Sequence, residues 1–393
     1  MSGLAIRKVT NIAEFESLRD VWRGVLAKSG DRNIYLTWEW LFTWFKHYGD
    51  DKKLSLTLIE DKTKVIGIIP LMSSRYKFGP LRFNILENIG STFPDYSGAI
   101  LTERKEEAIT AFLTYLRDEK IDGNIALIIS QIPQDSQFLS LLRKQSSSFS
   151  DSLILYDKVI TTCPYLPLPM SSDEYLNSLR RKRRGNLRRA LQSLQKSHNV
   201  EFKKHTPGGN LKEEMQLFFE LSQKRWGTEY AANKSVEQKT REFYLDLATA
   251  FEQNGWLDFS FLFADGNAIS IVFGFEYNGR FYYANQTFDP AYSRYSPGSQ
   301  HILHLILEAI EKGVKEFNFL KGDEAYKFFW TRLTRDNRQI ILARGSLLGK
   351  SWLKLLAPLM RLEEISQRSF RENYHLYLEK RKQQKIGRAT GEE

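Results

Sequence analysis

Two stretches of the sequence gather side chains that could carry out chemistry. In the first, Phe317-Asn318-Phe319-Leu320-Lys321-Gly322-Asp323-Glu324-Ala325-Tyr326-Lys327, a strand-like apolar run ends on Lys321, Asp323, Tyr326 and Lys327. Lysines there could neutralise a phosphate or a developing oxyanion, and a carboxylate or tyrosine could move a proton. Ligands of α/β folds gather at such strand ends, although an ordinary polar loop has the same composition. The second stretch, Ser296-Pro297-Gly298-Ser299, opens a run with helical spacing. Unpaired N–H groups and the dipole at a helix start favour an anion. Serine can cap, proline suits the first turn and glycine lets a ligand approach the backbone, but a plainly well-capped helix would use the same residues.

The densest charge is Leu179-Arg180-Arg181-Lys182-Arg183-Arg184-Gly185-Asn186-Leu187-Arg188-Arg189, within a chain of net charge +10. Such a stretch could grip a nucleotide-sugar diphosphate, a lipid head group or an RNA backbone, or form a solvated helix face. No metal site is expected: His301, His304 and Glu308 share a helix face without a further ligand group, so the imidazoles pack or meet solvent. Cys163 has no neighbouring base in sequence, and Trp38, Trp40 and Trp44 read mainly as core, with one of them able to stack on a sugar ring. No Walker loop, nucleophile elbow or Rossmann fingerprint is present.

The elements that must position these residues follow one order twice. Helical spacing runs over Asn11 to Lys28 and Trp38 to Tyr48, then β-rich runs over Leu54 to Glu60, Lys64 to Met72 and Leu81 to Ile89, a helix over Glu103 to Leu116 and a strand over Ile125 to Ser130. The second half gives a short strand at Val200 to Lys204, and helices at Leu211 to Gln223 and Val236 to Phe251. Strands follow at Trp256 to Ala264, Ala268 to Tyr277 and Arg280 to Phe288, then a helix at Gln300 to Lys312 and a strand at Glu316 to Leu320. Asp265-Gly266 and Asn278-Gly279 are strong hairpin signals. The repetition predicts a duplicated domain. Length suits two cores, divided near residue 165 by an extended connection carrying Pro164, Pro167 and Pro169. The expected segments are 1–165, 166–345, and 346–393 as an amphipathic helix with a charged tail. A single cysteine and the lack of a signal-like start or an 18-residue apolar run predict a cytoplasmic protein.

The ordered set of features resembles a known family. The Asp265-Gly266 hairpin, Tyr282-Tyr283, Ser296-Pro297-Gly298, Gly313 and Gly322-Asp323-Glu324 with Tyr326-Lys327 and Trp330 look like the GNAT acetyltransferases associated with cellulose and exopolysaccharide biosynthesis. Those are themselves similar to Fem-type peptidoglycan transferases. The Trp38/Trp40/Trp44 helix, Gly67 to Pro70, Asp95-Tyr96 and Arg225-Trp226 extend the likeness over roughly residues 10 to 340. The resemblance implies an α/β (α+β) fold of two tandem GNAT-like domains, each a mixed, mostly antiparallel sheet flanked by helices. It implies an acyltransferase with acetyl-CoA or another acyl-CoA as donor and no metal. Asn285, Gln286, Ser296, Pro297, Gly298 and Ser299 would hold the donor. Lys321 or Lys327 would assist transfer, with Asp323 or Tyr326 as base. An anionic, saccharide or nucleotide-sugar acceptor would meet Trp38, Asp95, Tyr96, Arg181, Arg184, Arg225 and Trp226. The departure from the usual GNAT pyrophosphate signature, with one glycine at the helix start, leaves an aminoacyl-tRNA donor as the nearest rival. A non-catalytic module at an anionic membrane is a third reading, and peripheral contact with the inner membrane face fits either.

Overall fold

The computed structural model describes residues 3–344, apart from 32, 79–80, 92–93, 119–123 and 227–233. The first half runs β1 (Leu4–Val9), α1 (Ile12–Ser17), α2 (Arg19–Ser29), α3 (Trp38–Tyr48), β2 (Lys52–Leu54), β3 (Leu56–Asp61), β4 (Lys64–Ile69), β5 (Leu71–Phe78), β6 (Leu81–Asn88), β7 (Ile100–Leu101), α4 (Lys105–Asp118), β8 (Asn124–Pro133), α5 (Gln137–Ser146) and β9 (Leu153–Pro167). The second runs α6 (Ser172–Ser178), α7 (Arg181–Ser197), β10 (Val200–Lys204), α8 (Leu211–Trp226), α9 (Lys234–Gln253), β11 (Leu257–Ala264), β12 (Asn267–Tyr277), β13 (Arg280–Phe288), α10 (Pro297–Glu311), β14 (Glu316–Asn318) and β15 (Thr334–Arg344). This is the expected mixed α/β architecture, and both hairpins are as read: Asp265, Gly266, Asn278 and Gly279 all have positive φ, which Asp, Asn and Gly tolerate.

The two halves are not separable at residue 165. One sheet of eleven strands, ordered β10-β11-β12-β13-β14-β9-β15-β8-β6-β5-β2, runs through both, and β1-β3-β4-β7 form a second sheet. The segment read as a proline-rich connection is the 15-residue strand β9. It pairs with β15 up to Pro164 and, on its other edge, with β14 from Tyr165 onward. Its prolines, which cannot donate to a ladder, therefore lie where β9 changes partner. The late strand β15 returns to the first half, pairing with β8 as well as β9. The expected boundary thus falls inside β9, and 334–344 belong to the first half's sheet. The amphipathic helix expected over 346–393 lies outside the described residues.

Hydrophobic packing joins the halves further. α3 packs on α9, with Phe243 edge-on to Trp40 at 6.4 Å and to Tyr48 at 5.4 Å between ring centroids, in one core that also takes in Trp22, Trp44, Phe251, Phe259 and Phe273. Aromatic burial of this kind, a few kcal/mol per ring, holds the face between the halves together. No helix of the described residues is long and apolar enough to cross a membrane.

Candidate active site

The site begins where two parallel strands part. β13 and β14 pair only over Arg280–Tyr282 and Glu316–Asn318. Past Asn318 the chain turns to β9, with the Phe319 N–H on the Pro164 carbonyl at 3.0 Å and the Gly322 N–H on the Thr162 carbonyl at 2.9 Å. Tyr283 to Phe288 consequently have no strand on that edge among the described residues. A bulge bends β13 at the same place: its pairing with β12 shifts from Asn285 opposite Phe273 to Tyr283 opposite Gly274, leaving Ala284 as the extra residue. Gly274 is required there, because a Cβ would meet the Phe281 ring at 2.9 Å and two backbone carbonyls at 3.2 and 3.3 Å.

A buried lysine shapes the far wall of this gap. Leu320 has φ +61° and Gly322 φ +114°, and the Lys327 ammonium, 4% exposed, donates to the Lys321 carbonyl at 2.7 Å and lies 3.5 Å from those of Leu320 and Gly322. It also pairs with Glu324 at 3.0 Å. Asn318 completes the turn by accepting the Leu320 N–H and the Tyr96 hydroxyl, each at 2.9 Å. The first half supplies the facing groups. Asp95 accepts the Tyr35 hydroxyl at 2.7 Å and the Lys321 N–H at 3.2 Å, while the Lys321 ammonium donates to the Pro94 carbonyl at 3.0 Å. Burial, then the Asp95 charge, pushes the Tyr35 hydroxyl well above the ordinary phenol range. The Tyr326 ring is 46% exposed, yet its hydroxyl is surrounded by protein. That desolvation, reinforced by the Glu324 and Asp95 carboxylates, raises its pKa.

At the start of α10 the backbone is largely self-satisfied. Ser296 caps the helix in the left-handed region, φ +53°, without a side-chain hydrogen bond. Pro297 has no N–H, and those of Ser299 and Gln300 return to the Ser296 carbonyl at 3.0 and 3.1 Å. Gln286 fills the space above: its amide donates to the Gly298 carbonyl at 3.0 Å and its Oε1 accepts the Tyr283 hydroxyl at 2.5 Å. Asn285 donates to the Tyr244 hydroxyl at 3.0 Å. Arg225 reaches over from α8, stacking on Phe288 at 4.0 Å and donating to the Gln286 carbonyl at 2.8 Å. Beyond Tyr96, a cleft of about 340 Å³ between the halves is lined by Asp31, Asn33, Ser97, Arg280, Tyr282 and Arg335, among others.

Of the residues expected from sequence, Asp95, Lys321, Tyr326, Lys327, Arg225, Asn285, Gln286 and Ser296 to Ser299 are held around this gap by β13, α8, α10 and the 319–327 loop. Several expected roles change. Lys327 is fully engaged as a brace for the loop, so it has no free amine to offer. Tyr326, held protonated, has a proton to give and cannot act as the base. Asp323 is exposed. Trp38 is core: its indole N–H bonds the Phe15 carbonyl at 2.9 Å and its ring stacks on Phe42 at 4.4 Å. Tyr96 is buried on Asn318, and Arg184 is turned to α6, donating to Leu176 and Asn177 at 2.9 Å each. Arg181 is exposed on α7, and Trp226 ends α8 with its side chain outside the described residues. Tyr35 and Tyr244 carry no spacing signal as isolated tyrosines far apart in sequence, and Tyr283 stood in the Tyr282-Tyr283 pair without a site role.

Burial raises the Cys163 thiol to about 12, which leaves it protonated and unreactive. His301, between Ser270 and Ser260 at 3.1 and 3.0 Å, is lowered to about 3 by burial and stays neutral, while His304 stacks on Phe202 at 3.9 Å. No group of metal-binding side chains occurs among the described residues.

This arrangement of bulged strand, splayed partner and following helix has relatives. Residues 181–328 match the acetyltransferase (GNAT) domain family. The chain as a whole is similar in fold to the solved structure of FemX, at TM-score 0.57 and 12% identity over 89% of this chain and 99% of that one. It is similar also to a conserved protein of unknown function from Bacteroides thetaiotaomicron VPI-5482, at TM-score 0.53 and 13% identity over 86% and 100%. A third is the C-terminal domain of a putative lysylphosphatidylglycerol synthetase from Agrobacterium fabrum, at TM-score 0.51 and 11% identity over 89% and 97%. At these identities the likeness is one of fold. No curated protein matches the chain.

Proposed function

We propose that this protein is an acyltransferase moving an acyl group from acyl-CoA to an amine or hydroxyl of a saccharide or nucleotide-sugar precursor of the cell envelope or an exopolysaccharide. The observation that carries this reading is the unpaired β13 edge from Tyr283 to Phe288, flanked by the α10 start on one side and by Asp95 and Tyr326 on the other. A free strand edge offers backbone groups to an extended thioester arm and an N–H to its carbonyl oxygen as charge develops. The acceptor's lone pair attacks the thioester carbon and the carbon–sulfur bond breaks. Asp95 takes the acceptor's proton, the departing thiolate takes the proton of Tyr326, and the proton on Asp95 passes through solvent to the Tyr326 phenolate, which restores both groups. No covalent enzyme intermediate is needed, in keeping with the inert Cys163.

The cleft beyond Tyr96 suits a polyhydroxyl acceptor. Its cations are already paired, Arg335 with Asp135 at 2.8 Å and Glu316 at 3.2 Å and Arg280 with Glu316 at 3.4 Å, so what it offers is mainly hydrogen bonding beside aromatic surface. The test is incubation with acetyl-CoA and a panel of amino sugars and nucleotide sugars, read by mass spectrometry. A product heavier by one acetyl group, absent in Asp95→Asn, is the expected result, and unchanged product from that variant would remove Asp95 from the chemistry.

A further inference from the structure

The donor's phosphates need a site, and the start of α10 is poorly equipped for them. Among its first four residues at most the Gly298 N–H remains to meet a ligand, because Pro297 has none and Ser299 and Gln300 are bonded to Ser296. The Gln286 carboxamide oxygen, an acceptor that repels anions, lies where a Cβ on Gly298 would meet it at 3.1 Å. The Gln286 amide protons are spent on the Gly298 carbonyl at 3.0 Å and the Ser270 hydroxyl at 3.3 Å. An incoming pyrophosphate would find one N–H and an opposing dipole.

Helix α7 has the complementary properties. Its sequence, RKRRGNLRRALQSLQKS, holds no acidic residue. It lies against the same helix start: Gln300, in the first turn of α10, donates to the Leu187 carbonyl at 2.9 Å, and both side chain and acceptor are buried. At its other contact, Arg183 stacks on Phe329 at 3.9 Å and donates to the Phe329 carbonyl, which ties the helix to the loop that carries Tyr326. Leu187 and Leu194 are its buried positions, while Arg181, Lys182, Arg188 and Arg189 are exposed. Burial, and after it the charges of Arg180 and Arg332, lowers the Arg183 pKa. α7 therefore runs from the loop at 327–329 past the opening of α10, with Arg181, Lys182, Arg188 and Arg189 exposed along it and in no ion pair among the described residues.

We infer that the phosphates of the donor are held by the exposed cations of α7, Arg181, Lys182, Arg188 and Arg189, and not by the backbone at the start of α10. This rests on the acyl-CoA reading above and reassigns the Arg-rich stretch from acceptor to donor. Guanidinium and ammonium groups bind phosphate through charge-assisted hydrogen bonds, each stronger than a neutral one, and a diphosphate with a further phosphate can engage several at once.

The test is calorimetric titration of CoA into the full chain and three variants. In R181Q/K182Q/R188Q/R189Q the affinity is expected to fall about tenfold or more. In Gly298→Ala it should change by less than about threefold, since only the flexible Gln286 must yield. In K62Q/K212Q, which removes two exposed cations elsewhere, it should stay within about twofold. Wild-type affinity in the quadruple variant, with binding lost in Gly298→Ala, would return the phosphates to α10 and overturn the inference while leaving the acyl-CoA reading intact. A loss in K62Q/K212Q half as large, on the logarithmic scale, as that in the quadruple variant, in keeping with two cations removed against four, would reduce the effect to net charge and overturn it too. Absence of CoA binding by the wild-type chain would overturn the donor reading and this assignment with it. Circular dichroism of each variant confirms that the helices remain.

Discussion

The two halves each contain a parallel strand pair followed by a helix, and only one of these pairs is open. In the first half β6 pairs with β8 at Asn84–Asn124, Leu86–Leu127 and Glu87–Ile128. The gap beyond is sewn shut: the Asn88 side chain accepts the Ser130 N–H at 3.0 Å, and the Ser97 N–H bonds the Gln131 carbonyl at 2.8 Å. The helix that follows, α4, starts with Glu106 and Glu107, behind an Arg104 already paired with Asp61 at 2.8 Å and Glu107 at 2.6 Å. In the second half the β13 edge stays unpaired among the described residues, α10 starts without an acid, and a cationic helix lies beside it. A common topology thus becomes a candidate site only where the edge is left open and the local charge suits an anion. The fold alone does not decide which half acts.

The strongest way to break this contrast is to remove the brace that keeps the second gap open. Lys327→Ala leaves the Glu324 carboxylate and the carbonyls of the 320–322 turn without their cation. A loss of about 1–3 kcal/mol is expected, read as a lowered urea midpoint, because the carbonyls of the turn are left without their donor. A variant of unchanged stability and abolished turnover would instead make Lys327 a reacting group. Next in size, Asp95→Asn keeps an acceptor for the Tyr35 hydroxyl but loses the base and the acceptor of the Lys321 N–H, so turnover should fall by about 10² or more with a modest drop in melting temperature. If the opening of the gap matters and Asp95 does not, this variant will keep its rate.

Much of this contrast was legible in the sequence, but unevenly. The Asp-Gly and Asn-Gly hairpins, the Trp38 helix and the α10 start were readable because each is a local signal in a few adjacent residues. β9 was not: Val159, Ile160, Thr161 and Thr162 favour a strand, but the prolines that follow read as a linker until one knows that β9 changes partner at Pro164. The return of β15 to the first half was equally hidden, since strand pairing at a separation of about half the chain leaves no periodic trace. The roles within 321–327 were misallotted for a related reason. A lysine's burial, which turns Lys327 from reagent to brace, is set by carbonyls that approach only after Leu320 and Gly322 adopt left-handed backbone. Closure of the first half's gap by Asn88 was likewise invisible, because one asparagine in a strand carries no sign of which backbone it will meet.

Two further substitutions sharpen the comparison. Tyr326→Phe removes the proton donor and should lower the rate about ten- to a hundredfold without unfolding. The raised pKa sets the sign for pH. The folded state favours the protonated phenol, so its contribution to stability is present below the ordinary tyrosine value of about 10 and declines as pH climbs above it. The Tyr326-dependent part of the rate should accordingly persist to about pH 10, and an earlier loss would point to another donor. Smaller again is Ser299→Glu, which gives α10 the acidic first turn of α4. Repulsion of the donor's phosphates should weaken CoA about fivefold at low salt and less at high salt, and no change in titration would place those phosphates far from this turn.

The smallest effect is expected from the reverse change in the first half. Glu107→Gln removes one partner of Arg104 at an exposed helix start, and solvent screens exposed pairs of this kind, so the melting temperature should barely move. The informative part is what does not appear. Neutralising the acid makes the α4 start less repulsive to an anion, yet the edge of β6 beyond Glu87 remains closed by Asn88 and by the Ser97–Gln131 bond. Titration should therefore give the same single CoA site as the parent chain. A second site in Glu107→Gln would mean that charge, and not the opening of the strand pair, is what silences the first half.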